Sequence, residues 1–182
     1  MSRIPTPASI ADAPEASRPL LEAAKKQLGV VPNMFRLIGN SPATLEGYLS
    51  LNGALGKGKL PVAVRERIAL AVAQANGCDY CLAAHSYLGK NVARLSDAEI
   101  TAARRGGSDD AKAAAAVRFA VALVGARGRV DAAEVEAVKA AGYGDAELLE
   151  IVGHVALNVL TNYVNESLGT AVDFPAAQPL AA

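Results

Sequence analysis

An all-α fold follows from three observations. No stretch of the chain alternates apolar and polar residues long enough to need a strand. Apolar residues recur instead at helical spacing, between capping residues and glycine stops. Aromatics make up only 4 % of the 182 residues, Trp is absent, and Ala is abundant. Such a composition suits closely packed helices. The expected architecture is an antiparallel bundle of about eight helices.

Residues 1–15 carry three prolines and little periodicity, so they read as an extended N-terminal arm. The arm is either loose or laid on a neighbouring subunit. A single helical domain is expected over residues 16–175, with a tail at 176–182. Leu20, Leu21, Ala24 and Leu28 form the first helical stripe, and Gly29 stops it. A short helix is predicted over Asn33–Ile38, between Pro32 and Gly39. The next opens at Ser41-Pro42, with Leu45, Tyr48, Leu49 and Leu55 as its apolar face. Gly56-Lys57-Gly58-Lys59 is a loop that lacks the spacing of a phosphate-binding loop. Pro61 suits the first turn of the following helix, which is apolar nearly all round from Ile68 to Ala75 and therefore buried. Asn76-Gly77 is a tight connection. A helix from Cys78 ends near Gly89.

Farther on, Ser96-x-x-Glu99 is a capping box, and Gly106-Gly107 ends its short helix. Ser108 or Asp109 starts an Ala-rich helix reaching about Ala126. Asp131-x-x-Glu134 is a second box, and its helix ends near Gly142. Asp145 caps the last helix, which runs to about Ser167 before Gly169. IALAVAQANGCDY and IVGHVALNVLTNY align without gaps, Ile68 on Ile151 and Tyr80 on Tyr163. That echo fits either a duplicated hairpin or a chance match between Ala-rich helices.

Composition narrows the function. Lys and Arg total 18, as do Asp and Glu. Net charge therefore favours neither nucleic acid nor an anionic membrane as partner. No uninterrupted apolar run reaches membrane-spanning length, and Arg118 breaks the best candidate. No charged segment followed by an apolar one opens the chain as a signal peptide would. The expectation is a cytoplasmic protein. In a reducing cytosol a lone C-x-x-C is redox-active or metal-binding more often than a permanent staple.

The chemistry concentrates in Glu66 to His85, ERIALAVAQANGCDYCLAAH. Cys78, Cys81 and His85 stand at i, i+3 and i+7, one face of a helix. Glu66 lies on a line with Val62, Ala69 and Ala73, where a carboxylate is costly to ionise without a partner. The tight Asn76-Gly77 turn puts that partner on the neighbouring helix. Cys78, near a helix N-terminus, meets the positive end of the macrodipole, which lowers a thiol pKa. His85 is placed to take the Cys81 proton, and Glu66 to orient His85. Read from the residues alone, other assignments stand beside this one. Zinc would need four ligands, Cys78, Cys81, His85 and Glu66. The cysteines are otherwise inert core residues, Glu66 a salt-bridged helix residue, and His85 a satisfied core histidine.

The spacing Glu66-x11-Cys78-x2-Cys81-x3-His85 resembles the signature of the alkylhydroperoxidase D and carboxymuconolactone decarboxylase-like superfamily. VPNMFRLIGNSP and NYVNESLGTAVDFP make most of the chain similar to its peroxidase-related branch. The resemblance implies a bundle of the alkylhydroperoxidase D-like type, assembled as a homo-oligomer, a trimer or hexamer. It implies thiol-dependent reduction of an organic hydroperoxide for antioxidant defence. In that reading Cys81 attacks, giving a sulfenic acid, and Cys78 resolves it to a disulfide. A dithiol, thioredoxin-like or lipoyl reductant then reopens the bond. The redox-active Cys78–Cys81 pair is the only redox group implied, with no cofactor or metal. Some members have a second His just before the second cysteine, where this chain has Tyr80. Two other classes remain open: a carboxymuconolactone decarboxylase-like lyase, which needs no cysteine pair, and a non-enzymatic thiol redox protein.

His154, Asn158 and Asn162 form a second polar line at i, i+4 and i+8 on the last helix. Such residues are usually hydrogen-bonded core or interface groups. The alternative is that they, with Tyr80, line the pocket or a subunit interface.

Overall fold

The computed structural model describes residues 2–180, and the descriptions that follow concern these residues. They form nine α-helices and no strand, one helix more than the approximate number expected: α1 (Arg18–Leu28), α2 (Asn33–Ile38), α3 (Pro42–Leu55), α4 (Val62–Asn76), α5 (Asp79–Asn91), α6 (Asp97–Arg104), α7 (Ala111–Gly125), α8 (Ala132–Ala140) and α9 (Asp145–Leu168).

Helix α4 is the axis of the fold, packed by α5, α6, α7 and α9. Seven of its side chains are buried, Ile68, Leu70 and Val72 among them, and four of the seven are Val64 or alanines. Small side chains let neighbouring backbones approach closely on several sides at once. Ile68 and Val72 meet Ala116 and Phe119 of α7 and Ile151 of α9 in one cluster. Leu70 packs with Leu95, Ile100 and Ala103 in a smaller one. A third cluster joins Leu21 of α1, Phe35 of α2 and Leu45 of α3 to Cys78, Tyr80 and Cys81. The cysteines therefore stand in the core that α1, α2 and α3 close over α5. Of the two aligned segments, Ile68 and Ile151 meet in one core, whereas Tyr80 is buried and Tyr163 exposed.

The α4–α5 turn places the site. Gly77 adopts a left-handed conformation, φ 66°. Its N–H and that of Cys78 bond back to Gln74 and Ala73 carbonyls, at 3.2 and 2.9 Å. This double closure ends α4 and needs a residue at positive φ, which glycine supplies without strain. The chain reverses, and Cys78 becomes the N-cap of α5, its Sγ accepting from the Cys81 N–H.

Several boundaries differ from the sequence reading. Gly89 lies inside α5, which continues to Asn91. A Cβ there would meet Leu95 and Ile100 at ordinary contact distance, so the glycine neither stops the helix nor is demanded by the packing. Asp110, not Ser108 or Asp109, caps α7 through the Ala113 N–H. Gly144 is the N-cap of α9, with Asp145 one residue inside. Asp131 and Glu134 form the expected reciprocal box. Ser96 caps α6, but the Glu99 carboxylate turns instead to Arg67, Ser108 and the Asp109 N–H.

The N-terminal segment is bound to its own chain. It contains short 3-10 turns at Ile10–Asp12 and Glu15–Ser17. The Arg3 N–H donates to the Leu168 carbonyl at 2.7 Å, Asn40 to the Pro5 carbonyl at 2.8 Å, and Arg36 to the Ala8 carbonyl at 2.7 Å. Ala13 is buried. Beyond α9, Gln178 accepts from Arg104 and Ala177 packs on the cysteine-bearing core. No helix among the described residues is long and apolar enough to cross a membrane.

Candidate active site

Three helices build the site: α4 brings Glu66, α5 brings Cys78, Cys81 and His85, and α9 brings two asparagines. Cys78 and Cys81 are both free thiols and both buried, 0 and 2 % exposed. Glu66 Oε2 lies 2.8 Å from His85 Nδ1, each side chain retaining slight exposure. The expected partner of Glu66 on the neighbouring helix is thus His85 itself. Arg67, one of its chain neighbours, is engaged by Glu99.

The two thiols respond oppositely to this environment. Cys81 is lowered from 9.0 to about 6. The Cys78 thiol donating to it is the main cause; burial opposes, and the His85 charge and the amides of Asn165 and Asn162 add to the lowering. Cys78 is pushed far up, first by its hydrogen bond to Cys81, then by burial and the Cys81 charge. The Cys81 N–H bond to Cys78 pulls the other way and is outweighed. The helix N-terminus therefore does not make Cys78 the thiolate, contrary to the dipole expectation. A proton shared between two close sulfurs settles on one, and the better-solvated anion is Cys81.

His85 is held above its ordinary pKa. Burial alone would lower it, but the Glu66 charge, the hydrogen bond to Glu66 and the Cys81 charge outweigh burial. Glu66, His85 and Cys81 thus stand in sequence, the Glu66 charge raising His85 and the His85 charge lowering Cys81. His85 Nδ1 faces Glu66, so the bond to the carboxylate occupies that ring nitrogen and not Nε2.

Asn165 is the residue that sequence reasoning missed. Its Nδ2 donates to Cys81 Sγ at 3.2 Å. It stands three residues beyond Asn162, so prolonging the polar line by one turn finds it. Within the expected line the members separate. Asn162 is buried beside Cys81, and its Oδ1 accepts from Asn76 at 2.8 Å. Asn158 donates to the His154 carbonyl at 2.8 Å, a tie within α9. His154 is buried and lowered to about 4 by burial and by Arg65, with Glu150 and Glu66 opposing. Tyr48, expected on the apolar face of α3, is partly buried against the cysteine-bearing core. Its phenol is raised by burial and then by the charges of Cys81 and Glu66, so it faces the site as a protonated group. The hydroxyl on that apolar stripe was the available signal.

Tyr80 turns away from the sulfurs. Its hydroxyl donates to Asp173 Oδ1 at 2.8 Å and accepts from the Met34 N–H at 3.3 Å, while Asp173 Oδ2 accepts from the Asn33 N–H. Phe174 packs edge-on against Tyr80, at 5.8 Å between centroids. Tyr80 thus clasps the segment after α9 to α2 and α5. Among the described residues no three His, Cys, Asp or Glu side chains converge as a metal site would require.

Residues 42–126, α3 through α7 with all four motif residues, match the family model of the carboxymuconolactone decarboxylase family. A solved alkylhydroperoxidase AhpD core, a peroxidase-related protein of Ralstonia eutropha JMP134, superposes with a TM-score of 0.84 at 25 % identity, over 94 % of this chain and 92 % of that one. The match over residues 42–126 and the shared fold both support the alkylhydroperoxidase D-like and carboxymuconolactone decarboxylase-like superfamily. A second peroxidase-related protein of the superfamily's fold, from Silicibacter sp. TM1040, gives a TM-score of 0.80 at 22 % identity, over 93 and 91 % of the two chains. The debrominase Bmp8, as a cysteine-to-alanine variant in complex with 2,3,4-tribromopyrrole, gives 0.79 at 22 %, over 95 and 94 %. These two share the alkylhydroperoxidase D-like fold with this chain. Comparison with curated proteins returned no match.

Proposed function

We propose that this chain is a thiol-dependent peroxidase that reduces organic hydroperoxides. The observation that supports it best is the opposite tuning of the cysteines, with Cys81 lowered to about 6 and Cys78 held protonated. Peroxide is attacked by a thiolate, and Cys81 is one at neutral pH. Cys81 attacks the terminal oxygen, the O–O bond breaks, and the alkoxide takes the His85 proton, which Glu66 has stabilised on the ring. Cys81 becomes a sulfenic acid. That step removes the anion whose hydrogen bond is the leading cause of the rise at Cys78. Cys78 is then released to deprotonate and displace hydroxide from Cys81, forming the disulfide and water. An external dithiol, a thioredoxin-like or lipoyl group, restores both thiols by exchange.

The protein acts as a homo-oligomer in this reading. Leu149, Val152, Leu160 and Tyr163 of α9 and Leu51 of α3 are all exposed in the single chain. Light scattering that returns a clean monomer would remove the oligomer from the proposal. A lyase reading draws on the matched decarboxylase family segment. It leaves the tuned cysteine pair without a task, so the peroxidase is preferred.

The test is peroxide consumption by wild type, Cys81→Ser and Cys78→Ser, with dithiol and monothiol donors compared. Cys81→Ser should abolish turnover. Cys78→Ser should form no Cys78–Cys81 disulfide and should turn over only through a mixed disulfide between Cys81 and the donor thiol. Full turnover by Cys81→Ser would refute the assignment.

A further inference from the structure

Two buried amide atoms beside Cys81 lack partners. Asn165 donates through Nδ2 to Cys81 Sγ at 3.2 Å, and its Oδ1 has no donor. Asn162 accepts through Oδ1 from Asn76, and its Nδ2 lies toward Cys81 without completing a hydrogen bond of normal geometry to it or to any other acceptor. Both residues are almost wholly buried, at 2 and 0 % exposure. Buried polar atoms are rarely left unpaired, because each costs the full desolvation of the group. Here an unpaired acceptor and an unpaired donor, one helical turn apart on α9, flank the same sulfur.

We propose that Asn162 and Asn165 form an amide cradle that holds Cys81 as thiolate and docks the –O–O–H group of a hydroperoxide. This rests on the peroxidase reading and names how its substrate is seated. A hydroperoxide presents one donor, the terminal O–H, next to acceptor oxygens. Asn165 Oδ1 accepts from the terminal O–H, and Asn162 Nδ2 donates to the inner oxygen. The terminal oxygen is thereby turned toward Sγ. On attack the S–O bond forms and the O–O bond breaks, with the electron pair leaving on the inner oxygen. Sulfur is oxidised by two electrons and the peroxide reduced to the alcohol, whose proton comes from His85. Asn162 meets charge as it develops on the leaving oxygen. The sulfenic O–H then remains on Asn165 Oδ1. An ether or an alkyl halide lacks the donor-next-to-acceptor pattern and does not satisfy both amides.

The test uses the full chain carrying Asn165→Ala, Asn165→Asp or Asn162→Asp; the Asp variants keep volume and the Oδ1 acceptor. Cys81 is followed by peptide-resolved iodoacetamide alkylation against pH, and by its second-order oxidation with tert-butyl hydroperoxide. Loss of the Asn165 donor should move the alkylation midpoint up by about one to two pH units, the usual worth of a hydrogen bond to a charged group. With thiolate saturated, every variant should alkylate at the wild-type rate, yet Asn165→Ala, which lacks the acceptor, and Asn162→Asp, which lacks the donor, should react with the hydroperoxide roughly tenfold or more slowly, the lower range for an oriented donor. An unmoved midpoint in both Asn165 variants overturns the cradle. So does an equal fall in alkylation and peroxide rates. A shifted midpoint with a wild type inert to hydroperoxides supports the hold on the thiolate and sinks the peroxidase reading alone. A variant that misfolds is recognised by its melting curve, and the remaining two then decide.

Discussion

Glu66→Gln removes one charge from the proposed relay and little else. The carboxylate is 2.8 Å from His85 Nδ1, and both side chains are mostly buried, at 15 and 22 % exposure. Glutamine keeps the volume and a hydrogen-bonding oxygen. A hydrogen bond to a charged group is worth about 1.5–3 kcal/mol and a neutral one about 1, a difference of about 1–2 kcal/mol. At 1.36 kcal/mol per pKa unit, His85 should fall by about one unit. Burial, the largest influence on His85, already pulls that way. The ring then gives up its proton more readily, and Cys81 loses part of the His85 charge that helps to lower it. Fewer thiolates and a missing proton donor together should lower peroxide turnover by roughly 10²-fold, within the range of positioned acid–base help. The fold should suffer little, with a loss of about 1 kcal/mol shifting the melting temperature by about 2–4 °C. Stopped-flow oxidation, normalised to folded protein, reads the first effect and calorimetry the second. His85→Gln and the double variant complete the cycle, and members of one relay should combine far less than additively. A large drop in melting temperature with near-normal chemistry per folded molecule would refute the relay and leave a structural ion pair.

Three further outcomes are expected. Alkylation of Cys81 should rise through pH 6 and be flat above it, because its pKa is about 6 rather than 9.0; a midpoint near 9 would contradict the tuned thiolate. Asp173→Ala or Phe174→Ala loosens the clasp on Tyr80, and reaction of the buried thiols with a bulky aromatic disulfide should quicken several-fold; an unchanged rate would show that entry runs elsewhere. His154, at about 4 against 6.5 when unfolded, takes up a proton on unfolding between those values. Stability should therefore be intact above pH 6.5 and decline as pH falls toward 4, by at most about 3 kcal/mol before solvent screening. His154→Leu should flatten that limb in pH-dependent denaturant titrations, and an unaltered limb would assign it to other groups.

The helices and the four-residue motif were legible because they depend on local rules. Caps, glycine stops and the 3.6-residue period are properties of neighbouring residues, and they placed α2 and α4 within a residue of their observed bounds. The Cys78, Cys81, His85 face follows from one helix, and its meeting with Glu66 from one tight turn at Gly77. What local rules could not supply was competition. Glu99 fits a capping box, yet Arg67, Ser108 and the Asp109 N–H together outbid the Ser96 N–H for its carboxylate. Gly89 has the residue type of a helix stop, yet α5 runs through it to Asn91, which only the tertiary structure shows. The same holds at the sulfurs. A dipole argument favours Cys78, because sequence shows the helix end and not the neighbours. The packing of α9 against α5 brings Asn165 to Cys81, and the proton between the thiols goes where the remaining hydrogen bonds and charges are fewest. Sequence by itself determined which groups could meet in the candidate site; the tertiary packing decided which thiol is lowered and which raised, since that depends on the summed field of groups drawn together from three helices.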